Sequence, residues 1–311
     1  MTTDPSRWLI VVTGPTAVGK TSVSIEIAKH FSTEIISADS RQFFKEISIG
    51  TARPSVEELR TVHHHFIGHL SIADRYNVSG FEMDALKLLE LLFQHHRVIV
   101  MTGGSGLYIN AVCHGIDELP DPDPALRELL RELLKTQGII PLQEKLCELD
   151  PVYYKQVDQD NPIRLIRAIE VSVMTGLPYS SFRKNKPKPR SFKTVKIGLT
   201  RDRPELFERI NSRVDQMMMN GLLEEARNVY PFRHVNALNT VGYKELFAFF
   251  DGLMTLEEAI EKIRTNTRRF ARRQLTWFDK DKDIRWFHPD EYQKIINYIN
   301  SAINVTNNII P

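Results

Sequence analysis

Cysteine is scarce: the chain holds two, Cys113 and Cys147, far apart and in no CxxC pair. That excludes a cysteine-built zinc centre and a disulfide framework as organising principles. Excess charge of one sign is also missing. The net charge is +2, so the chain is no polycation, and any nucleic-acid surface has to come from local segregation of charge. No apolar run approaches the roughly 18–20 residues that a membrane-spanning helix needs. The first residues, MTTDPSRW, lack a signal-peptide layout and run straight into an apolar stretch, so a cytoplasmic protein with no membrane partner is expected. Internal repeats are absent. What remains is ordinary globular composition, 42% hydrophobic and 26% charged over 311 residues, enough for one large domain and a smaller one.

The first hundred residues alternate strand and helix patterns. WLIVVTG (8–14) reads as a buried strand, TSVSIEIAKHF (21–31) as a helix and EIISADS (34–40) as a second strand. A helix is expected near 79–96, and RVIVMTGGSG (97–106) reads as a third strand running into a glycine turn. This rhythm predicts an α/β fold, a parallel sheet covered by helices. Ligands of such sheets sit beyond the carboxyl ends of the strands, so the loops 14–21, 38–42 and 102–106 are expected to converge. After LPDPDP (119–124) the patterns turn helical and stay so to about 190. The expected organisation is a core of 1–116 and 191–311 with an all-helical insertion at 117–190. The exit, RKNKPKPRSFK (183–193), reads as an extended, solvated basic linker. TVKIGLT (194–200) then returns to the sheet, followed by long helical segments near 203–229 and 255–280.

The sharpest chemical signal is GPTAVGKT (14–21), a G-x-x-x-x-G-K-[ST] loop directly behind a strand. Across Gly14, Pro15, Thr16, Ala17, Val18 and Gly19, the candidate phosphate-binding loop, the two glycines let the backbone turn its N–H groups inward; Lys20 adds a mobile positive charge, and Thr21 can offer its hydroxyl to Mg²⁺. Such a loop binds a polyphosphate without saying which. Asp39 and Ser40 end the second strand. A carboxylate there can cap a turn, or take a proton from a nucleophile beside the phosphates. TGGSG (102–106) stands where common NTP hydrolases place a metal-holding aspartate; here glycines allow close backbone approach, and Thr102 or Ser105 can donate to a phosphate oxygen. The run HHH (63–65), with His69 nearby, invites a metal reading, but consecutive residues do not share a face, so a half-buried connection is expected.

Basic residues cluster late in the chain. From 262 to 273 there are six Lys or Arg and no acid. On a helix Arg264, Arg268 and Arg272 share one face, where like charges repel unless a polyanion offsets them. Phe270, Trp277 and Phe278 read as core. Arg164 and Arg167 fall at i, i+3 in NPIRLIRAIE (161–170), Arg127 sits on the insertion's first helix, and Arg209 and Arg213 form an i, i+4 pair. Arginine forks suit phosphate oxygens, although a surface ion pair explains any one of them alone.

GPTAVGKT, ISADSRQFFKEISIGTARP (36–54), GGSGLYI (103–109), NPIRLIRAIE, RDRPELFERINSRVDQMMMNGLLEEA, VGYKELFAFFDG (241–252) and NTRRFARRQLTWF (266–278) occur in this order. Together they resemble the tRNA dimethylallyltransferases, also called tRNA isopentenyl transferases, over about residues 8–290. Without the C-terminal zinc finger of eukaryotic relatives, the resemblance is to the bacterial form. It implies that the loop holds the pyrophosphate of dimethylallyl diphosphate, with Mg²⁺ on Thr21. It implies that the acceptor is the exocyclic amine of adenine 37 of a tRNA, beside the anticodon. Asp39 would accept the amine's proton, and Ser105 with Arg209 or Arg213 would meet the diphosphate. Many members carry Thr at the place of Ser105. The tRNA contacts implied are Asp39, Ser40, Arg41 and Gln42, Arg127, and the run Ile163, Arg164, Leu165, Ile166 and Arg167, with the insertion against the anticodon stem. A monomer is expected. The competing expectation is a small-molecule kinase using ATP at the same loop.

Overall fold

A computed structural model describes residues 6–184 and 186–305. In chain order the elements are β1 (Trp8–Thr13), α1 (Lys20–His30), β2 (Ile35–Ser37), α2 (Val56–Thr61), β3 (His64–His65), α3 (Val78–Leu92), β4 (Val98–Gly103) and α4 (Gly106–His114). The helices α5 (Pro124–Gln137), α6 (Ile140–Leu149), α7 (Pro151–Tyr154), α8 (Pro162–Thr175) and α9 (Tyr179–Phe182) follow. The chain closes with β5 (Lys193–Leu199), α10 (Arg203–Met219), α11 (Leu222–Val229), α12 (Tyr243–Phe250), α13 (Leu256–Phe278), β6 (Ile284–Phe287) and α14 (Tyr292–Val305). The fold is α/β, a parallel sheet covered by helices. Two compact units emerge, 1–113 with 189–311, and 114–188.

The first unit is organised by six strands in the order β3-β2-β4-β1-β5-β6, every pair parallel. Alternation along β1 explains its unbroken apolar run, because both faces are covered. Trp8, Ile10 and Val12 pack on one side with Ile27 of α1 and Ile295, Ile296 and Ile299 of α14. Leu9 and Val11 pack on the other with Phe81 and Leu89 of α3 and Ile109 of α4. A third cluster, around the fully buried Tyr243, joins α11, α12 and α13 to Phe44 and Ile47. Its anchor is Glu225, whose carboxylate accepts from the backbone N–H groups of Ser48, Ile49 and Gly50 and from the Tyr243 hydroxyl.

Several local expectations change. The helix expected over 203–229 is two helices, because Gly221 takes φ +97° and breaks the ladder between α10 and α11. The linker 183–193 is not simply solvated. Arg190 is an internal tie, donating to Glu82 at 2.6 Å and to the carbonyls of Ala111 and Val112. Two edge strands, β3 and β6, are too short for pattern reading and exist by pairing to β2 and β5.

The second unit packs α5, α6 and α8 around Leu130, Leu142, Leu146, Leu165 and Ile169. Asp123 caps α5 ahead of Pro124, and Asn161 caps α8 ahead of Pro162, the arrangement that starts a helix at least cost. Buried Asp150 caps α7 and also accepts from the N–H and hydroxyl of Ser180. No helix among the described residues is long and apolar enough to cross a membrane. Cys113 and Cys147 are both free thiols, and burial pushes Cys113 up to about 12.

Candidate active site

The phosphate loop leaves β1 at Gly14, whose φ is +143°. A Cβ there would stand 2.5 Å from the Leu199 carbonyl oxygen, so β1 and β5 approach this closely only over glycine. Four of the loop's carbonyls each meet a cation. Lys20 Nζ donates to Gly14 and Pro15, at 3.0 and 2.8 Å. Arg201 Nε donates to Val18 at 3.0 Å and Arg209 Nε to Ala17 at 2.9 Å. Arg213 donates to the Thr16 hydroxyl at 3.2 Å. Gly19, at φ +110°, leads into α1, whose first turn holds no acid, which leaves its N–H groups suited to an anion.

The three loops converge. Ala38 N–H donates to the Thr102 carbonyl at 2.7 Å. Ser40 N–H donates to the Ser105 hydroxyl, which donates in turn to the Ser40 hydroxyl, at 3.1 and 3.2 Å. Asp39 accepts from the N–H of Arg41 at 3.1 Å and is electrostatically coupled to Lys20 and Arg213. Burial pulls Lys20 down from 10.5 to about 8, opposed by Asp39 and reinforced by Arg213. Burial also lowers Arg213, against the pull of Asp39. At the end of β4, a Cβ on Gly103 would collide with the carbonyl oxygen of Ala38. An aspartate cannot occupy that position without prising β4 from β2.

Two residues that sequence reasoning passed over are central here. Gln274, buried on α13, accepts from Thr16 N–H at 2.8 Å and donates to the Gly104 carbonyl at 2.9 Å, so one carboxamide fastens the phosphate loop to the glycine turn. The RRQ sequence was visible, but nothing in it distinguishes an inward Gln from a surface one. His64 lines the same cleft as Lys20, Thr21, Asp39 and Thr102. Its Nδ1 sits 2.8 Å from the Val62 carbonyl, while Nε2, like the Thr102 hydroxyl, is buried without a partner among the described residues. Orphaned polar atoms facing one cleft are the mark of a site built for a polar ligand. The clue was alternation: on a strand, His64 must face away from His63 and His65.

Other expected residues have different duties. Arg41 donates to the carbonyls of Asn236 and Ala237, and the Gln42 amide donates to those of Thr51 and Ala52. In the ligand-free chain both side chains hold loops. Leu165 and Ile166 lie in the core of the insertion. At 3.6 residues per turn α8 buries the adjacent Leu165 and Ile166 and leaves Ile163 and Arg164 exposed, so the run 163–167 does not face outward as one block. Arg127 and Arg167 both bond the fully buried carboxylate of Glu170, at 2.6 and 2.8 Å. On α13, Arg264 is held by Asp215 and Glu261, and Arg268 by Glu261 and Asn211. The expected repulsion is therefore relieved from within the protein, leaving Arg272 and Arg273 as exposed arginines without a side-chain partner among the described residues. Phe278 is core, but Phe270 and Trp277 are each 41% exposed, correcting their assignment to the interior.

The model of the IPP transferase family matches residues 42–281. The chain belongs to the IPP transferase family. It is 58% identical to the tRNA dimethylallyltransferase of Christiangramia forsetii over 300 residues, 96% of this chain and 99% of that one. A tRNA isopentenylpyrophosphate transferase from Bacillus halodurans, a solved structure, is 35% identical with a TM-score of 0.72, covering 97% of this chain and 99% of that one. A eukaryotic dimethylallyltransferase solved acting on tRNA is 26% identical with a TM-score of 0.77, covering 97% of this chain and 79% of the other. These relatives do not favour the kinase alternative.

Proposed function

We propose that this IPP transferase moves a dimethylallyl group from dimethylallyl diphosphate to the N6 amine of adenine 37 in tRNA, and works as a monomer. The observation that carries the reading is the convergence of a phosphate loop, Asp39 and a strand end that sterically excludes a metal-holding aspartate. The diphosphate lies against the N–H groups at the start of α1, with Lys20 and Arg213 facing the charge that grows on the leaving oxygens. Arg213, the less exposed member of its pair, is the better diphosphate ligand; Arg209 shores up the loop from outside.

The bond between the allylic carbon and the diphosphate oxygen breaks as the bond from N6 forms. Pyrophosphate leaves with the electron pair, and Asp39 takes the proton released by N6. The adenine leaves its stack to reach the cleft. The oxygen donors around Thr21, namely its hydroxyl, Asp39 and Ser37, are the hard set that Mg²⁺ prefers. When bound, Mg²⁺ supplies charge neutralisation of the diphosphate. Ser105 supports this site by locking the 39–42 loop to the glycine turn. In the insertion, Ile163, Arg164 and Arg167 form the face offered to the anticodon stem, affinity coming mostly from phosphate contacts and specificity from loop bases.

The test is incubation with labelled dimethylallyl diphosphate, Mg²⁺ and an anticodon stem-loop. Label in the RNA supports the reading. Consumption of ATP with small-molecule acceptors and no label in RNA supports a kinase instead.

A further inference from the structure

A second cluster lies at the other end of the sheet. Glu34 immediately precedes β2, His63 precedes β3, His65 lies in β3 and His96 stands two residues before β4. These are amino ends of parallel strands, whereas the phosphate loop leaves a carboxyl end. His65 Nε2 is 2.7 Å from Glu34 Oε2. The rings of His63 and His65 meet edge to face with centroids 4.4 Å apart. One donor atom from each of Glu34, His63 and His65 lies within 4.8 Å of the others, the sole such convergence of His, Cys, Asp or Glu among the described residues. His96 Nε2 stands 3.7 Å from the other oxygen of Glu34.

Consecutive residues of a strand do not share a face. That holds for His64, which turns into the phosphate cleft, but it is what puts His63 and His65 together two residues apart. A single His–Glu hydrogen bond would need one imidazole, and here three surround one carboxylate. The ligands ride on fixed backbone: Ile35 N–H donates to the His63 carbonyl at 3.0 Å, and β2 pairs with β3 through Ile35–His64 and Ile36–His65. Two imidazoles and a carboxylate are a nitrogen-rich set that suits Zn²⁺, whereas Mg²⁺ and Ca²⁺ prefer oxygen throughout. Donor atoms around a tetrahedral Zn²⁺ stand roughly 3.3 Å apart, given bonds of about 2.0–2.1 Å.

We infer that Glu34, His63 and His65 form a Zn²⁺ site, with His96 at the fourth position. The bound ion clamps β3, an edge strand of two residues, to β2 and to the lead-in of β4. It thereby steadies the strand whose other face carries His64 into the cleft. This inference does not depend on the transferase reading.

The test uses the full chain without a polyhistidine tag, stripped of metal and kept in millimolar Mg²⁺ so that oxygen sites are occupied. Zn²⁺ is titrated calorimetrically and Co²⁺ by its visible absorption. The expected result is one Zn²⁺ per chain, a tetrahedral Co²⁺ band displaced by Zn²⁺, and a melting temperature raised by roughly 5–10 °C at 100 times Kd. His63→Ala and His65→Ala, each removing a direct ligand, weaken binding by more than the roughly 10–100-fold of an outer-sphere change. His30→Ala, an exposed histidine elsewhere, leaves binding intact, and so does Asp39→Asn in the phosphate cleft. Absence of Zn²⁺ heat and of a Co²⁺ band would overturn the inference. So would equal binding by the His65→Ala chain, or loss of binding on Asp39→Asn.

Discussion

Replacing Gln274 by Leu tests whether one side chain holds the two phosphate-facing loops together. The change keeps approximate volume and removes both hydrogen bonds, to Thr16 N–H and to the Gly104 carbonyl. Each buried backbone group left unpaired costs about 1–3 kcal/mol, so two cost about 2–6 kcal/mol. Thr16 is only half-buried, and water can reach its N–H, which puts the expectation in the lower part, about 2–4 kcal/mol. Melting should fall by roughly 5–10 °C. The functional effect is specific: with the loop displaced, KM for dimethylallyl diphosphate should rise roughly 10–100-fold, while KM for the RNA stays close to wild type. Gln274→Glu separates the two roles. It keeps an acceptor for Thr16 N–H but sets a carboxylate against the Gly104 carbonyl and brings negative charge toward the diphosphate. It should therefore melt nearer wild type than the Leu variant yet bind the diphosphate worse. Steady-state kinetics and a thermal melt of the two variants suffice. A Leu variant with unchanged melting temperature and unchanged diphosphate KM would refute the bridging role.

Three other outcomes are expected. Asp39→Ala should lower kcat by roughly 10²–10⁴ with RNA binding little changed; single-turnover rates with bound RNA check it. Lys20 titrates near pH 8 in the ligand-free protein, so it is charged below that value and loses its charge as pH rises through it. Diphosphate affinity should then fall by up to roughly tenfold per pH unit above 8. Because the unfolded lysine holds its proton to higher pH, folding stability should rise between about 8 and 10.5. Lys20→Met should abolish both trends in a pH series of binding and melting. Arg164→Ala should weaken anticodon stem-loop binding without altering melting, since its exposed guanidinium has no side-chain partner among the described residues. Arg167→Ala should lower both, because it also strips a cation from buried Glu170; native gel shifts beside melts distinguish the two.

The parallel sheet and the site's position were legible because their signals are local: an apolar strand, then GPTAVGKT, then two more strands ending in small polar residues. Asp39 could be placed because strand ends in a parallel sheet share one side. What resisted reading depended on partners distant in sequence. Arg264 and Arg268 look like an unrelieved charge run until Asp215 arrives from α10. Arg41 and Gln42 sit in a motif that suggests open contacts, yet their donors close onto backbone at 236–237 and 51–52. Arg190 looked like linker and is buried against Glu82. β3 is two residues long, and its alternation, invisible in a run of three identical histidines, decides that His64 faces the cleft while His63 and His65 face Glu34.

The most direct test of the transferase account is a paired assay with labelled dimethylallyl diphosphate, Mg²⁺ and two anticodon stem-loops that differ only in adenine or guanine at position 37. The account predicts label in the adenine RNA alone, with one pyrophosphate released per label incorporated. Equal labelling of both RNAs, or none in either while ATP is consumed, would contradict it.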